Sequence, residues 1–187
     1  MSKQRITKEM IVEVAFQLAR EGGFDKMIVK NIASKLNCSV QPIYSYCSNM
    51  DGLKKDVLLV NNQFIQKYLA EKIIPEDFFR STGYAYVQLA KEEPYLFQLF
   101  ISQQRDNISS LSDLYTTQTD PKIAKFISQK MNISEERAKE LHLNMLIYTV
   151  GIGTILSNCK PGISEEEILC QLEKAFTCFS KSINNDS

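Results

Sequence analysis

The sequence is poor in the side chains on which most enzyme active sites depend. Among its 187 residues there is a single histidine, His142, and no tryptophan. It has no glycine-rich phosphate loop and no carboxylates grouped at a metal-ligand spacing, so we expect no enzyme, no metal site and no bound cofactor. His142 stands between two leucines in a helical pattern, which is more typical of a structural residue or a pocket hydrogen-bonder than of a catalytic base.

The cysteines give no sign of a disulfide framework. They are five in number, and no two have the C-x-x-C spacing. With only one histidine beside them they form no metal-ligand cluster, so we expect free thiols that are buried or partly buried. They are Cys38, Cys47, Cys159, Cys170 and Cys178.

Long apolar runs are also missing. None approaches the ~20 residues that span a bilayer, and the first residues lack the apolar core of a signal peptide. We therefore expect a cytoplasmic protein without a membrane partner. A hydrophobic content of 44% is nevertheless enough for a substantial core.

The chain carries no net charge, yet its charges are unevenly distributed. The first 55 residues carry nine Lys or Arg and five Asp or Glu, a net charge of +4, and the remainder carries thirteen and seventeen, a net charge of −4. A basic N-terminal part on an acidic body is typical of a protein that meets phosphate at one end. Lys3 and Arg5 lie in a short polar arm that is either a phosphate contact or a solvated tail.

The stretch from residue 27 to residue 53 has the pattern of two helices joined by a tight turn. Ile28, Ile32 and Leu36 recur every four residues, which predicts a helix with one apolar side. Asn37 tolerates the left-handed conformation that such turns need, and Ser39 is a suitable N-cap for a second helix.

The second helix, predicted over Val40 to Tyr46, has an unusual composition. Ile43 and Cys47 form its apolar anchor, and its other side chains are left to point outward. A tyrosine hydroxyl can bond a phosphate, and glutamine can pair with an adenine edge, so these residues suit a DNA groove. The same spacing also fits a packed helical corner with half-buried tyrosines.

These residues resemble the DNA-binding domain of the TetR family of bacterial transcriptional regulators. The resemblance covers about the first 55 residues and rests on Gly23-Phe24, Ile32-Ala33, Ser39 and the run from Ile43 to Cys47. It implies a helix-turn-helix domain over residues 1–50 that contacts DNA. The expected contact residues are Lys30, Ser39, Val40, Gln41, Tyr44, Ser45, Tyr46, Asn49 and Lys54.

The sequence departs from the family pattern at several positions. Met27 and Ile28 stand where the family has a hydroxyl residue that caps the second helix and touches phosphate. Met50 replaces a phosphate-contacting lysine, for which Lys54 is a candidate substitute. Cys47 replaces an aromatic residue.

The rest of the chain predicts an all-α fold, with an N-terminal three-helix DNA-binding domain followed by a helical bundle over residues 51–187 for ligand binding and dimerisation. Helices are expected over 50–73, 76–92, 94–104, 121–131, 134–158 and 164–183, and the polar stretch 105–119 is expected to be irregular. The abundant Tyr and Phe side chains indicate an apolar cavity with few polar groups. Candidate ligand contacts are Tyr86, Phe97, Phe100, Ile101, His142 and Tyr148, each of which also fits a packed core.

The last two predicted helices carry more apolar surface than a small body covers. The family resemblance implies that 134–158 and 164–183 pair with a second copy, although closure of a monomeric core is an alternative. We therefore expect a homodimeric repressor that binds double-stranded palindromic DNA and is released by a small, largely apolar effector. The alternative is a helical carrier or protein-interaction module whose DNA binding is weak or lost.

Overall fold

The computed structural model describes residues 6–47, 49–104, 108–159 and 162–185. Within these ranges the chain forms α-helices and one short 3₁₀ turn, Pro75–Asp77, and no strand. The all-α prediction is therefore confirmed. The helices are α1 (Lys8–Lys26), α2 (Val29–Lys35), α3 (Gln41–Tyr46), α4 (Met50–Lys72), α5 (Phe78–Glu92), α6 (Pro94–Ile101), α7 (Leu111–Gln118), α8 (Pro121–Met131), α9 (Glu135–Cys159) and α10 (Glu165–Asn185).

The N-terminal module, α1 to α3, is a small three-helix unit around one apolar core. Ile11, Ile32 and Ile43, one from each helix, are almost completely buried and belong to the same cluster. The path of α1 breaks at Gly23, whose φ of 67° is open to glycine at little cost. Asn37 has a φ of 50° in the turn between α2 and α3, as its residue type predicts.

The long helix α4 joins the module to the rest of the chain. Asn49 caps it by accepting a hydrogen bond from the Gly52 amide at 2.7 Å. Leu53 and Val57 at its beginning belong to the core of the module, whereas Ile65 farther along belongs to the core of the body, α5 to α10. The predicted division between residues 50 and 51 thus falls in the first turn of a helix that packs on both parts.

The body is built around α9. Helix α5 packs along it, and α6, α8 and α10 pack on its other sides. Gly153 permits close packing because a Cβ there would overlap the ring of the fully buried Phe97. Ser164 caps α10 by accepting a hydrogen bond from the Glu167 amide at 3.1 Å. None of the helices within the described ranges has the length and hydropathy required to cross a bilayer.

Several local predictions were wrong. The stretch 105–119 contains α7, and α6 ends at Ile101 instead of continuing to residue 104. Ile28 is 47% exposed rather than part of the apolar side of α2, because it precedes the helix as an extended residue. The N-cap position of α3 is Val40 and not the predicted Ser39, because the helix begins one residue later than expected, at Gln41. The expectation of buried thiols fails for Cys159, Cys170 and Cys178, which are exposed.

One other prediction, the polar arm with Lys3 and Arg5, lies outside the described residues.

Candidate nucleic-acid interface and ligand cavity

Helix α3 is held by one buried side and presents the remainder to solvent. Ile43 is 1% exposed and Cys47 is buried beside it, where burial raises the pKa of its thiol. Tyr44, by contrast, is 57% exposed. The predicted outward-pointing set is exposed throughout, which disfavours the packed-corner interpretation. This set is Val40, Gln41, Tyr44, Ser45 and Tyr46.

Some of the expected contact residues already have partners within the chain. The Ser45 hydroxyl donates to the Gln41 carbonyl oxygen at 3.0 Å, and Asn49 accepts the capping hydrogen bond of α4. The Lys54 ammonium lies 3.3 Å from an Asp51 carboxylate oxygen, in a pair exposed enough to contribute at most about 1 kcal/mol. Lys54 can therefore exchange this partner for a phosphate at little cost.

The beginning of α2 lacks a polar cap. Ile28 precedes the helix and makes no capping hydrogen bond, and the adjacent Met27 is buried in the core of the module. Lys30 and Ser39 are exposed on the same module. The hydroxyl contact that the family resemblance would place at the beginning of α2 is thus replaced by an apolar side chain.

The body contains a largely apolar cavity of about 330 Å³ between α4, α5, α7 and α9. Tyr86, Phe100, Ile101 and His142 line it, together with the first residues of α8. Two predicted ligand contacts lie elsewhere. Phe97 is fully buried against Gly153, and Tyr148 packs edge-on against Phe179, so both belong to the packed core.

His142 is buried at one wall of this cavity. Its Nδ1 shares a 3.0 Å hydrogen bond with the hydroxyl of Tyr115 on α7, and the rings of Phe78 and Phe79 pack against its edges. Burial lowers the pKa of His142 to about 4, so the imidazole is neutral at physiological pH. Burial also raises the pKa of Tyr115 to about 12.

Four polar residues of the cavity are absent from the predicted ligand contacts: Thr82, Tyr115, Thr119 and Asp120. Tyr115 was missed because α7 was expected to be irregular. The signal was present, since Ser110 and Asp113 have capping-box spacing, and the Ser110 hydroxyl accepts from the Asp113 amide at 3.0 Å. Thr82 carries no comparable signal, because a threonine in a helix is usually bonded to its own backbone.

One face of α9 is apolar and uncovered in a single chain. Ile147, Gly151 and Ile155 follow one another at four-residue spacing, and all three are exposed, Ile155 by 55%. Cys159 continues the row at the end of the helix. Such a stripe on a long helix is a candidate surface for association with another copy.

Comparisons with known proteins bear on the fold. No protein-family model matches the sequence, and a comparison with curated proteins finds no match. Solved structures do match. A TetR-like transcriptional regulator from Rhodococcus sp. RHA1 aligns with a TM-score of 0.64 over 92% of this chain and 96% of its own, at 12% sequence identity. This chain has the TetR fold.

A second structure with the TetR fold supports the same conclusion. A TetR variant from Acinetobacter baumannii AYE, in complex with minocycline, aligns with a TM-score of 0.62. The alignment covers 96% of this chain and 99% of that one, again at 12% identity. The TetR fold therefore extends over both the N-terminal module and the body, beyond the 55 residues that carry the sequence resemblance.

Proposed function

We propose that the protein is a ligand-responsive transcriptional regulator that binds double-stranded DNA as a homodimer. The observation that carries the proposal is the outward polar side of α3 in a helix-turn-helix of the TetR fold. Gln41 and Tyr44 lie on this side, and Ile43 holds the helix from behind. Residues 1–50 would form the DNA-binding domain, and residues 51–187 the effector-binding and dimerisation domain.

In this proposal the contact residues have different roles. Gln41 pairs with a base edge, whereas Tyr44, Tyr46 and Lys54 bind phosphate and sugar. Val40 makes an apolar contact in the groove. Lys30, Ser39, Ser45 and Asn49 support the position of the module on the backbone. The net charge of +4 over residues 1–55 supplies sequence-independent affinity, and two copies would double the positive charge that meets the phosphates.

The dimer would form through α9 and α10. Covering the stripe from Ile147 to Ile155 with the same stripe of a second copy would remove apolar surface from water. The proposed regulator requires that the two α3 helices of this isologous dimer lie on one side of the assembly. Two half-sites then become accessible together, which a palindromic operator requires.

The route from the cavity to the DNA-binding module would run through α6. Phe100 and Ile101 on α6 line the cavity, whereas Leu96 and Leu99 on the same helix belong to the core of the module. Two polar links reinforce this junction. The buried Asn61 amide on α4 donates to the Leu96 carbonyl oxygen at 3.1 Å, and Arg20 on α1 forms a bidentate pair with Glu93, where the Nε bond is 2.8 Å.

An effector would act by its differential affinity for two arrangements of these helices. A ligand that fits the cavity better when α6 is displaced would favour the state in which α3 is misplaced for DNA. The proposed outcome is a repressor that a small, largely apolar effector releases from its operator.

A band-shift titration with the DNA upstream of the protein's own gene tests the proposal. We expect a sequence-selective complex whose affinity falls steeply with salt. Gln41→Ala should relax base preference, and Lys54→Ala should weaken binding to all DNA similarly and reduce the salt slope by about one. Lys67→Ala is the matched control, because Lys67 lies on the same helix as Lys54 and is 80% exposed far from α3. Absence of a selective complex at low salt would refute the proposal.

One observation favours a second candidate, a carrier or interaction protein with weak DNA binding. The exposed Ile28 occupies the position where the family resemblance places a phosphate-contacting hydroxyl. Replacing Ile28 with Thr separates the two candidates. A regulator that already binds DNA well should gain little in band-shift affinity, whereas a module that has lost this contact should gain about tenfold, the value of a charge-assisted hydrogen bond.

A further inference from the structure

The walls of the cavity contain almost no formal charge. Among the described residues that line it there is no lysine or arginine, and the one carboxylate belongs to Asp120. Asp120 lies at the rim, where it is exposed and accepts a hydrogen bond from the Lys122 amide at 2.9 Å as the N-cap of α8. An anionic ligand would thus find no cation in the cavity, and a cationic ligand would find a carboxylate only at the edge.

The polar groups farther inside are neutral at physiological pH. Burial lowers the pKa of His142 to about 4 and raises the pKa values of Tyr86 and Tyr115 to about 12. All three line the cavity and can give or accept hydrogen bonds without carrying charge. The interior therefore distinguishes ligands by hydrogen bonding and shape rather than by ion pairing.

A further polar residue of the cavity, Thr82, has a hydroxyl without a hydrogen-bond partner in the described part of the protein. The hydroxyl oxygen itself is not exposed, whereas the residue as a whole is partly exposed and lines the cavity. A rotation about χ1, which exchanges the hydroxyl and the methyl group, turns the hydroxyl toward a ligand in the cavity. A threonine in a helix usually donates to the carbonyl four residues earlier, as Thr154 does to Val150 at 2.8 Å. Leaving a buried hydroxyl unpaired destabilises the protein, and a ligand that pairs with it would remove that penalty.

We propose that this cavity binds an uncharged, mostly apolar molecule that carries one hydrogen-bonding group, and that the Thr82 hydroxyl contacts this group beside the Tyr115–His142 pair. An ionised ligand would lose its hydration without gaining a counter-charge, so the cavity rejects it. A hydrocarbon would fill the space but leave the hydroxyl unpaired. The inference rests on the proposed function only in assigning this cavity to the effector.

Isothermal titration calorimetry of the full-length protein with four molecules of similar shape tests the inference. The molecules are 2-naphthalenemethanol, naphthalene, 2-naphthoate and 2-naphthylmethylammonium. We expect the alcohol to bind most tightly and naphthalene about fivefold to tenfold more weakly, as the loss of one hydrogen bond predicts. The two ions should bind at least about tenfold more weakly than naphthalene.

Two variants locate the hydrogen bond. Thr82→Val keeps the shape of the side chain and removes an unpaired hydroxyl, so folding should be unharmed, and the preference for the alcohol over naphthalene should disappear. Ile123→Val, on another helix that lines the cavity, is the matched control. This substitution removes one methylene and should weaken the binding of the alcohol and of naphthalene by a similar factor.

Three results would each overturn the inference. In the first, one of the two ions binds most tightly; in the second, none of the four molecules binds. In the third, the Thr82→Val variant keeps the preference for the alcohol over naphthalene. A band-shift assay on the same preparation distinguishes failure of the ligand inference from failure of the proposed function. Selective DNA binding without the alcohol preference would refute only the ligand class. A preference for the alcohol in a protein that does not bind DNA would refute only the proposed function as a transcriptional regulator.

Discussion

The N-terminal module and the body use their buried side chains in opposite ways. The module is filled by apolar, mostly aliphatic residues from each of its helices, and it turns polar side chains such as Gln41 and Tyr44 outward. The body leaves about 330 Å³ unfilled and places His142 and the Thr82 hydroxyl inside. A surface that must match a rigid duplex requires a firm support, whereas a site that receives a small molecule requires space and unpaired polar groups. The following predictions test this contrast.

The largest effect should come from removing the anchor of α3. Ile43→Ala deletes a fully buried side chain and should lower the free energy of unfolding of the module by about 2–5 kcal/mol. Tyr44→Ala, one residue farther along, should change it by less than about 0.5 kcal/mol while weakening DNA binding. Chemical denaturation followed by circular dichroism measures both. Similar stability losses in the two variants would show that α3 is not supported from one side.

A methyl group at Gly153 should disturb the packed side of α9. An added Cβ overlaps the Phe97 ring, whose ε carbons would lie 3.1 Å away, so Gly153→Ala should destabilise the protein by about 1–3 kcal/mol. Gly162→Ala, just before α10, meets nothing within 4 Å among the described residues and should change the stability by less than about 0.5 kcal/mol. Thermal unfolding compares the two. Equal stability of the two variants would mean that the packing around Phe97 is loose enough to accommodate the methyl group without strain.

Because His142 is the only histidine in the chain, its contribution to the pH dependence of stability can be isolated. Its pKa is about 4 in the folded protein and near 6.5 when unfolded, so the unfolded state binds more protons between these values. The stability that neutral His142 contributes is present above about pH 6.5 and is lost as the pH falls toward 4. The Tyr115 hydroxyl and the rings of Phe78 and Phe79 surround the imidazole, and none of them is charged in this range.

Denaturant unfolding at about pH 7 and about pH 5 measures this loss. Between about pH 7 and about pH 5, the free energy of unfolding of the protein should fall by roughly 2 kcal/mol more than that of the His142→Gln variant. An identical pH dependence in both proteins would show that the imidazole is accessible to water and that the cavity wall is not closed.

The smallest effect concerns the junction between the two regions. The Arg20–Glu93 pair is partly exposed on the arginine side, so Arg20→Met and Glu93→Gln should couple by only about 0.2–1 kcal/mol in a double-mutant cycle. If α6 transmits the signal, the two substitutions should change the free energy of DNA binding by the ligand-bound protein more than they change the free energy of unfolding. Equal changes in the two free energies would show that the pair is a surface contact without a role in transmitting the signal.

The sequence predicts the module better than it predicts the cavity, for a physical reason. Apolar spacing locates Ile32 and Ile43 in the core, and the residue type of Asn37 predicts its left-handed conformation, because these features are local. The cavity depends on where distant helices meet. Tyr115 and Thr82 reach the same space from α7 and α5, and no spacing along the chain encodes that meeting.

The wrong predictions arise where a local sequence pattern fits two structural roles. Ile28 matches the helical spacing of Ile32 but precedes the helix, so it is exposed instead of buried. Phe97 and Tyr148 have the composition of ligand-contacting residues, yet close packing against Gly153 and Phe179 uses them in the core. Aromatic residues in a helical body fit both roles, and only the packing distinguishes them.

Selection of bound sequences from a pool of random duplex DNA tests the central claim most directly. We predict enrichment of an inverted repeat whose half-sites are about 34–36 Å apart or a multiple of this distance, with weaker base preference when Gln41 is replaced by Ala. A pool in which no sequence is enriched, or an enriched sequence that the Gln41→Ala protein binds equally well, would contradict the assignment of α3 as the helix that contacts DNA bases.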